Sequence, residues 1–330
     1  MGYPQWVILD RESMKIQRVF VTGATGFIGK HLVHRLVREG YSVGALVRST
    51  SNSLKSQSLE GITRYSGDIR NYDDISRAFS AFQPDAVIHL VTYYAIMHRA
   101  DEIGVMLDTN VKGTINLLEA AKEYGRIRLF INTSSTQVYD PKPRRLRESD
   151  EIQPQSLYAV TKRNAEDSCT FYASAYQLPC VTLRLFPPYG PGDQERRLIP
   201  YVIGSILKNT PPNLTTGKQE WDFIYVDDIV NAYLAVLRSE SLSGGHTIFN
   251  IGTGQPISIR TIVEKIRTHL DSRVDLPWGS VPHRANEVWY NSADISKAEC
   301  ELGWKPLTGI DEGLEKTISW FSDYYRKSSR

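Results

Sequence analysis

The chain has 330 residues, of which 41% are hydrophobic and 23% are charged, as in an ordinary globular protein. Lys and Arg total 39 against 37 Asp and Glu, so the formal net charge of +2 gives no electrostatic indication of nucleic-acid binding. The sequence has no window of about 18 to 20 uninterrupted apolar residues, so we expect no membrane-spanning helix and no membrane partner.

Residues 1–17 are expected to form an N-terminal tail, because the apolar run over residues 6–9 is followed at once by charged residues, unlike a secretory signal. Three widely spaced cysteines, Cys169, Cys180 and Cys300, suit a reducing cytoplasm and show no metal-binding spacing. We expect each of them to be a buried, unreactive thiol. These features predict a cytoplasmic protein without a bound metal.

The first half of the chain alternates short apolar runs with helical patterns. Strands are predicted over residues 18–22, 42–47, 85–90 and 128–133, and helices over residues 29–39 and through 116–121. Strands that alternate with helices in this way form parallel sheets through right-handed crossovers, with helices on both faces. The pattern therefore predicts an α/β fold with a doubly wound parallel sheet of the Rossmann type.

The second half breaks this rhythm with clusters of proline and glycine, which are typical of loops and turns. We expect a smaller, interleaved α/β region for the substrate over residues 187–221 and 255–330. Residues 18–186 together with 222–254 are predicted to form the dinucleotide-binding domain. The apolar segment 223–226 and the strand-like segment 247–251 are the parts of the second half that are expected to return to the main domain.

A glycine-rich turn joins the first predicted strand to the first helix. Gly23, Gly26 and Gly29 fit G-x-x-G-x-x-G, in which the first glycine permits a tight turn, the second admits a pyrophosphate and the third allows close packing. The start of the helix then presents free N–H groups and a positive dipole to a diphosphate. A glycine triplet alone is a weak signal, but between a strand and a helix it predicts dinucleotide binding. The residues expected to contact the dinucleotide here are Gly23, Thr25, Gly26, Phe27, Ile28 and Gly29.

The residues after the second strand favour one of the two nicotinamide cofactors. A carboxylate there would bond to the 2′-hydroxyl of NAD, whereas this chain has Arg48, which can pair with a 2′-phosphate, and Ser49, which can add a hydrogen bond. NADP(H) is therefore favoured, with NAD(H) as the alternative if Arg48 is only a solvated surface side chain. Asp68 is expected to accept a bond from the adenine amino group or to cap a helix. Ile69, Leu90, Tyr158 and Lys162 complete the predicted cofactor contacts.

Tyr158 and Lys162 are four residues apart, so on a helix they lie on one face. An ammonium group near a phenol favours the phenolate, so Lys162 is expected to lower the pKa of Tyr158 and to promote proton transfer near neutral pH. Lys162 is also expected to contact the ribose of the nicotinamide. Ser135 follows a predicted strand at the sheet edge where ligands bind, and it is placed to hydrogen-bond the reacting oxygen. These three residues are the predicted catalytic group.

A series of motifs runs from Val19 to Trp304. They are residues 22–29, Gly67-Asp68-Ile69, 110–114, Ser134-Ser135, Tyr158-x-x-x-Lys162, Leu183-Arg184, 189–192, 222–228, 250–252 and 302–306. Together they resemble the extended short-chain dehydrogenase/reductase family, which includes the NAD-dependent epimerases and dehydratases. Within that family the chain is most similar to the nucleotide-sugar 4-ketoreductases.

The resemblance implies several roles. Ser135, Tyr158 and Lys162 would be the catalytic triad, and Asn110 would kink a helix. The C-terminal region would hold the diphosphate of a nucleotide sugar. The resemblance also implies a homodimer, paired through the helices near residues 100–124 and 157–176.

Departures from the family pattern narrow the reaction. Where the 4,6-dehydratases of the family carry an Asp-Glu pair, this chain has Thr136 and Gln137, which cannot supply the acid and base that eliminate water. Trp221 replaces a phosphate-binding arginine and is expected to stack on a base. Arg284 fits a second phosphate arginine and would clamp the diphosphate, or else form a surface salt bridge. The predicted substrate-binding residues are Tyr93, Thr136, Gln137, Pro187, Trp221 and Arg284.

Three hypotheses for the function follow from these residues. The leading one is NADPH-dependent reduction of the C4 ketone of a nucleotide-linked 4-keto-6-deoxy sugar, with Tyr158 as general acid. The alternative is a nucleotide-sugar 4-epimerase, which oxidises and re-reduces C4 with tightly bound NAD. The third is a regulatory protein that binds NAD(P) without chemistry, which the intact pair of Tyr158 and Lys162 argues against.

Overall fold

The computed structural model describes residues 15–48, 60–95, 97–242 and 244–328. Most of the expected N-terminal tail lies outside these residues, as does Ser49, the predicted second contact of a 2′-phosphate. The strands are β1 (Arg18–Thr22), β2 (Ser42–Val47), β3 (Thr63–Ser66), β4 (Ala86–His89), β5 (Leu129–Ser135), β6 (Cys180–Leu185), β7 (Pro188–Tyr189), β8 (Glu220–Trp221), β9 (Ile224–Tyr225), β10 (His246–Ile251), β11 (Ile257–Ser258) and β12 (Tyr290–Asn291). The helices are α1 (Phe27–Arg38), α2 (Tyr72–Phe82), α3 (Ile103–Leu107), α4 (Gly113–Tyr124), α5 (Leu157–Tyr176), α6 (Leu198–Leu207), α7 (Val226–Arg238), α8 (Ile259–His269), α9 (Ser296–Leu302) and α10 (Ile310–Ser328). Short 3₁₀ turns cover Ala100–Glu102 and Thr136–Val138, and a π-helix covers Asp108–Lys112.

Seven strands form one parallel sheet in the order β3-β2-β1-β4-β5-β6-β10. Strand β1 pairs with β2 on one side and β4 on the other, so Val21 lies opposite both Ala45 and Ile88. Residues 19–22 of β1 are fully buried, because helices cover both faces of the sheet. The predicted Rossmann-type α/β fold is confirmed, and β10 returns to the edge of the sheet as expected.

The strand order changes direction between β1 and β4. The chain builds the sheet outward from β1 through β2 to β3, and then crosses back to place β4 on the other side of β1. In open α/β sheets such a change leaves a crevice at the carboxyl ends of the strands, where ligands bind. Strands β1, β4 and β5 end at Thr22, His89 and Ser135, so the crevice is expected just beyond these three residues.

Two element boundaries near the crevice differ from the predicted ones. Helix α1 begins at Phe27 rather than at residue 29, with Gly26 as its N-cap residue. Strand β5 runs to Ser135, because its last residues pair in register with β6 up to Leu185. The longer strand places Ser135 in the sheet edge itself rather than in a following loop.

A second apolar core lies in the second half of the chain. Helices α6, α8 and α10 pack against one another there and bury Val202, Ile262 and Leu314. The three-stranded sheet β11-β8-β12 and the pair β7-β9 also belong to this half of the chain. Phe27 and Ile28 of α1 pack against the same core, so the two halves of the chain meet at the first turn of α1.

The cysteines divide into two groups. Cys169 and Cys180 are buried as predicted, but Cys300 is exposed, so the expectation of a buried thiol is wrong there. Cys300 lies on the short helix α9, whose fully buried residue is Ala298, and the opposite face of that helix is turned to solvent. Among the described residues, no helix is long and apolar enough to span a membrane.

Candidate functional site

One cavity of about 1050 Å³ opens at the carboxyl ends of β1, β4 and β5. Its lining extends from the glycine-rich turn across the sheet edge to residues 284–291. All of the sequence-predicted site residues that the structure describes contribute to this lining. They are Gly23, Thr25, Gly26, Phe27, Ile28, Gly29, Arg48, Asp68, Ile69, Leu90, Tyr93, Ser135, Thr136, Gln137, Tyr158, Lys162, Pro187, Trp221 and Arg284. The fold therefore brings these positions together, while their individual roles stay predictions.

Two glycines are required in the turn between β1 and α1. Gly23 has a φ of +77°, and a Cβ there would lie 2.9 Å from the backbone of Leu90. A Cβ on Gly29 would lie 2.1 Å from the carbonyl oxygen of Gly23, so a side chain would push α1 away from the turn. The first N–H groups of a helix have no partner within it, and here Phe27 and Ile28 border the cavity. The turn therefore fits the diphosphate of a dinucleotide.

Arg48 and Asp68 border the same cavity at the ends of β2 and β3. The Asp68 carboxylate accepts hydrogen bonds from the Arg70 side chain at 2.7 and 3.0 Å and from the Arg70 backbone N–H at 2.9 Å. These bonds to Arg70 lower the pKa of Asp68, and the charge of Arg48 lowers it further. Asn71 caps α2 by accepting a bond from the N–H of Asp73, so the alternative role of Asp68 as a helix cap is wrong.

Tyr158 lies in the first turn of α5. The helix begins where the N-cap residue Ser156 accepts a hydrogen bond from the N–H of Ala159 at 3.1 Å. The Tyr158 side chain is buried close to the hydroxyls of Ser135 and Thr92. Burial raises the pKa of Tyr158, and hydrogen bonding to the two hydroxyls offsets only part of that rise. The phenol therefore stays protonated in the chain alone.

Lys162 lies one helical turn after Tyr158 on the same face of α5, as the spacing predicts. Its Nζ donates a hydrogen bond to the carbonyl oxygen of Thr133 at 2.8 Å and lies 5.9 Å from the centre of the Tyr158 ring. Burial lowers the pKa of Lys162 to about 8. The prediction that Lys162 lowers the pKa of Tyr158 is wrong for this structure, because the ammonium faces Thr133 and burial dominates at both residues.

Asn110 joins the loop after β4 to the catalytic helix. Its side-chain oxygen accepts hydrogen bonds from the N–H of Tyr93 at 2.6 Å and from the hydroxyl of Thr92 at 3.2 Å. Its amide nitrogen donates to the hydroxyl of Thr161 in α5 at 3.0 Å. The helix irregularity that the family resemblance implies at Asn110 is confirmed as the π-helix Asp108–Lys112.

Two of the predicted substrate residues are tied to the second half of the chain. The hydroxyl of Thr136 donates to Oδ1 of Asn291 at 2.8 Å, and the indole N–H of Trp221 donates to the carbonyl oxygen of Val288 at 2.7 Å. Thr136 is buried and Trp221 is half-buried. These bonds hold the far wall of the cavity against the end of β5, and the stacking of a base on Trp221 stays a prediction.

The remaining predicted substrate residues have more open surroundings. The hydroxyl of Tyr93 donates to Glu102 at 2.7 Å, which directs that side chain toward the Ala100–Glu102 turn. Gln137 lies within 3.5 Å of the Ser156 hydroxyl, next to the start of α5. Arg284 is exposed at the cavity wall. The carbonyl of Pro187 accepts the N–H of Ile224 at 3.0 Å, so it is engaged in positioning β9.

Among the cavity-lining residues that sequence reasoning missed are Thr92, Tyr94, Asp193 and Arg197. Thr92 and Tyr94 directly follow β4, so their place at the carboxyl end of a central strand was a usable signal. Asp193 and Arg197 come from the loop before α6, and no local pattern connects that loop to β4. Their position depends on how the second half of the chain packs.

Comparisons with known proteins identify the family. The sequence profile of the NAD dependent epimerase/dehydratase family matches residues 19–252. The chain is 31% identical to CDP-abequose synthase of Salmonella typhimurium, over 91% of this chain and 97% of that protein. It is also 31% identical to UDP-glucuronate 4-epimerase of Thermodesulfobacterium geofontis, over 91% of this chain and 94% of that protein.

The structure agrees with the sequence comparison. It is similar to the UDP-glucuronic acid 4-epimerase of Bacillus cereus, solved in complex with UDP-glucuronic acid and NAD, with a TM-score of 0.85 and 28% identity. That similarity covers 94% of this chain and 100% of the other. The family profile spans most of the chain, including the glycine-rich turn and the segment that carries Tyr158 and Lys162. The chain therefore belongs to the NAD-dependent epimerase/dehydratase family, the extended short-chain dehydrogenases/reductases.

Proposed function

We propose that the chain is a nucleotide-sugar 4-epimerase, which inverts C4 of a hexose linked to a nucleoside diphosphate. The observation that carries the proposal is that Ser135, Tyr158 and Lys162 lie in one cavity with the glycine-rich turn. The similarity to UDP-glucuronate 4-epimerases supports C4 as the reacting carbon and NAD as the cofactor. Because the relatives are named for UDP-linked and CDP-linked sugars, we expect a pyrimidine nucleotide.

The proposed proton transfers use the three catalytic residues. A bound nicotinamide cofactor would accept a hydride from C4 and return it. Tyr158 acts here as the phenolate, a form that the positive charge of bound NAD would favour. The phenolate takes the proton of the C4 hydroxyl as the carbon is oxidised, and gives it back when the ketone is reduced from the opposite face. Ser135 holds the same oxygen by a hydrogen bond. Lys162, one helical turn away, is expected to hold the ribose of the nicotinamide cofactor beside Tyr158.

The residues after Ser135 support chemistry at C4 alone. Elimination of water from the sugar needs a second acid and base, and the family's dehydratases carry carboxylates at the positions of Thr136 and Gln137. Neither side chain here can take up that role, and the Thr136 hydroxyl is already donated to Asn291. Oxidation and reduction of one carbon require, besides the cofactor that carries the hydride, only the proton relay at Tyr158.

A second candidate function is NADPH-dependent reduction of a C4 ketone. It is favoured by Arg48, which lies at the end of β2 where NAD-binding proteins usually have a carboxylate. A net reduction consumes its cofactor, which suits a phosphorylated dinucleotide, whereas an epimerase recovers its cofactor in each turnover. The family resemblance to nucleotide-sugar 4-ketoreductases supports the same alternative.

One experiment separates the two candidates. The protein is incubated with UDP-glucose or UDP-glucuronate and NAD, the sugars are separated by chromatography, and the absorbance of the reduced cofactor is followed. We expect the C4 epimer to accumulate without net change in the cofactor. A parallel incubation contains NADPH and a 4-keto-6-deoxy sugar nucleotide. One-for-one consumption of NADPH there, with no epimer in the first incubation, would establish the second candidate and overturn the first.

The catalytic assignment has a matched control on the same helix. Tyr158→Phe should lower kcat by about 10² to 10⁴-fold, because it removes the proton relay. Tyr176→Phe at the other end of α5 should leave kcat unchanged, since that side chain is outside the cavity lining. Turnover by Tyr158→Phe within a few-fold of the parent would show that another group moves the proton.

A further inference from the structure

An ion pair faces the cavity next to the catalytic phenol. Nε of Arg197 lies 3.3 Å from Oδ2 of Asp193, and both residues line the cavity. The side chain of Asp193 is 2% exposed and that of Arg197 is 26% exposed. The carboxylate is therefore the buried partner, and the guanidinium is the part of the pair that a ligand reaches.

The backbone of a single loop holds this pair in place. Oδ1 of Asp193 accepts a hydrogen bond from the N–H of Gln194 at 2.8 Å, which directs Oδ2 toward Arg197. The N–H of Arg197 donates to the carbonyl of Gln194 at 2.9 Å, and its Nη2 donates to the carbonyl of Pro188 at 3.3 Å. An arginine carries five N–H groups, and no residue that the structure describes accepts a hydrogen bond from Nη1 of Arg197, which can therefore meet a sugar hydroxyl.

Tyr94 connects the pair to the reacting centre. The Arg197 guanidinium lies 5.7 Å from the centre of the Tyr94 ring. That ring meets the Tyr158 ring edge to face, with centres 4.9 Å apart and planes at 83°. Arg197 is thus one aromatic ring away from the proposed proton relay, and its charge lowers the pKa of Tyr158 against the larger effect of burial.

The other basic side chains of the cavity lie elsewhere. Among the described lining residues, Arg48 ends β2 on the side of the glycine-rich turn, Lys162 is bonded to Thr133, and Arg284 belongs to the segment predicted to hold the diphosphate. Arg197 is the cation beside Tyr94, and its charge is balanced by Asp193. Burial raises the pKa of Asp193 to about 6 in spite of Arg197, so the carboxylate is ionised at neutral pH.

We infer that Asp193 and Arg197 select a nucleotide-linked hexose that is uncharged at C6 and disfavour a hexuronate. The inference rests on the proposed function, since it names the substrate class of the same site. Arg197 donates to hydroxyls of a neutral sugar. A sugar carboxylate would meet a guanidinium that is already paired, and it would lie close to the like charge of Asp193. The selectivity would differ from that of the UDP-glucuronate 4-epimerases to which the chain is similar.

The test compares two probes that differ only at C6. Dissociation constants for UDP-glucose and UDP-glucuronate are measured by calorimetry on the NAD-loaded Tyr158→Phe protein, so that turnover does not interfere. Because both probes carry the same nucleotide, their ratio reports the C6 group alone. We expect UDP-glucose to bind about tenfold more tightly. Asp193→Asn should lower the ratio of the UDP-glucuronate Kd to the UDP-glucose Kd about tenfold, because it frees the charge of Arg197 from its carboxylate partner.

Glu195→Gln provides the matched control. It removes the same charge two residues away, but Glu195 bonds to Tyr324 and Tyr325 and is outside the cavity lining. With this substitution added, the ratio of the two dissociation constants should equal that of the Tyr158→Phe protein alone. If Asp193→Asn does not fold, Arg197→Gln replaces it, and should weaken UDP-glucuronate binding more than UDP-glucose binding because Asp193 then stands alone.

The outcomes separate this inference from the proposed function. Equal or tighter binding of UDP-glucuronate by the NAD-loaded Tyr158→Phe protein would overturn the inference, and so would a ratio of the two dissociation constants that responds equally to Asp193→Asn and Glu195→Gln. If the parent protein, with Tyr158 present, does not epimerise either sugar, the proposed function is overturned. The ratio of the two dissociation constants would still test the inference about the C6 group. If neither UDP-glucose nor UDP-glucuronate binds, both the inference and the proposed function are overturned.

Discussion

The ammonium group of Lys162 donates a hydrogen bond to the carbonyl oxygen of Thr133 at 2.8 Å, across the junction between α5 and β5. This buried contact ties the helix that carries Tyr158 to the strand that ends in Ser135. It also leaves an amine where water does not reach it, and burial lowers the pKa of Lys162 to about 8. The positive charge of Lys162 is therefore unfavourable for folding.

Lys162→Met should stabilise the chain at pH 7 while it abolishes turnover. Because the pKa of Lys162 is about 8 in the folded chain and 10.5 as its ordinary value, the folded chain binds fewer protons than the unfolded chain between these pH values. The free energy of unfolding of the parent therefore rises with pH across that window. The variant should be more stable by about 1 to 3 kcal/mol at pH 7, and the difference should shrink toward pH 10.5.

Urea unfolding of both proteins at pH 7 and near pH 10 measures this effect. The lost hydrogen bond to Thr133 opposes the gain by about 1 kcal/mol at both pH values. A difference in stability that stays constant with pH would show that the buried charge of Lys162 is not its cause.

Glu166 lies one turn beyond Lys162 and forms a buried pair with Arg184 of β6. The two hydrogen bonds measure 2.7 and 2.9 Å, and both side chains are 2% exposed. Glu166→Gln leaves the guanidinium buried without its counter-charge, so the free energy of unfolding should fall by about 3 to 5 kcal/mol. The exposed pair of Arg163 and Asp167 on the same helix is the control, and Asp167→Asn should cost less than about 1 kcal/mol. Equal losses in urea unfolding would contradict this assignment.

Sequence patterns predicted those parts of the site whose residues lie close together in the chain. The spacing of Gly23 and Gly29 follows from the geometry of a strand, a tight turn and a helix, and the structure requires glycine at both. The four-residue spacing of Tyr158 and Lys162 places them on one face of α5. Each of these features depends on dihedral angles and helix periodicity, which nearby residues determine.

Contacts between distant segments could not be predicted in this way. The bond from Thr136 to Asn291 joins residues 155 positions apart, and the approach of Arg197 to Tyr94 depends on the packing of the second half of the chain. The pKa of Tyr158 was predicted with the wrong direction for a related reason. The spacing to Lys162 indicates a nearby charge, but the degree of burial depends on the tertiary structure.

Arg48→Leu tests the choice of cofactor. If Arg48 pairs with a 2′-phosphate, its loss should raise the Kd for NADPH about tenfold or more and leave the Kd for NADH unchanged. Arg77→Leu on α2 is the control, because Arg77 is exposed and outside the cavity lining. Fluorescence titration of the parent and of both variants with each dinucleotide measures the six constants. Equal affinity of Arg48→Leu and the parent for NADPH would leave NAD as the favoured cofactor.

Gly29→Ala tests whether the turn after β1 holds the dinucleotide. The added Cβ would lie 2.1 Å from the Gly23 carbonyl oxygen and 2.8 Å from Cα of Ala24, and both are backbone atoms that cannot rotate away. We expect a loss of about 1 to 3 kcal/mol in the free energy of unfolding, as for other overpacked sites. The displaced helix start should also raise the Kd for the dinucleotide about tenfold or more, since it moves the N–H groups that face the diphosphate. Gly309→Ala is the control, because a Cβ there meets nothing within 4 Å, and it should change stability by less than about 0.5 kcal/mol. If Gly29→Ala is destabilised but binds the dinucleotide as tightly as the parent, the turn serves only packing, and the diphosphate must be held elsewhere in the cavity.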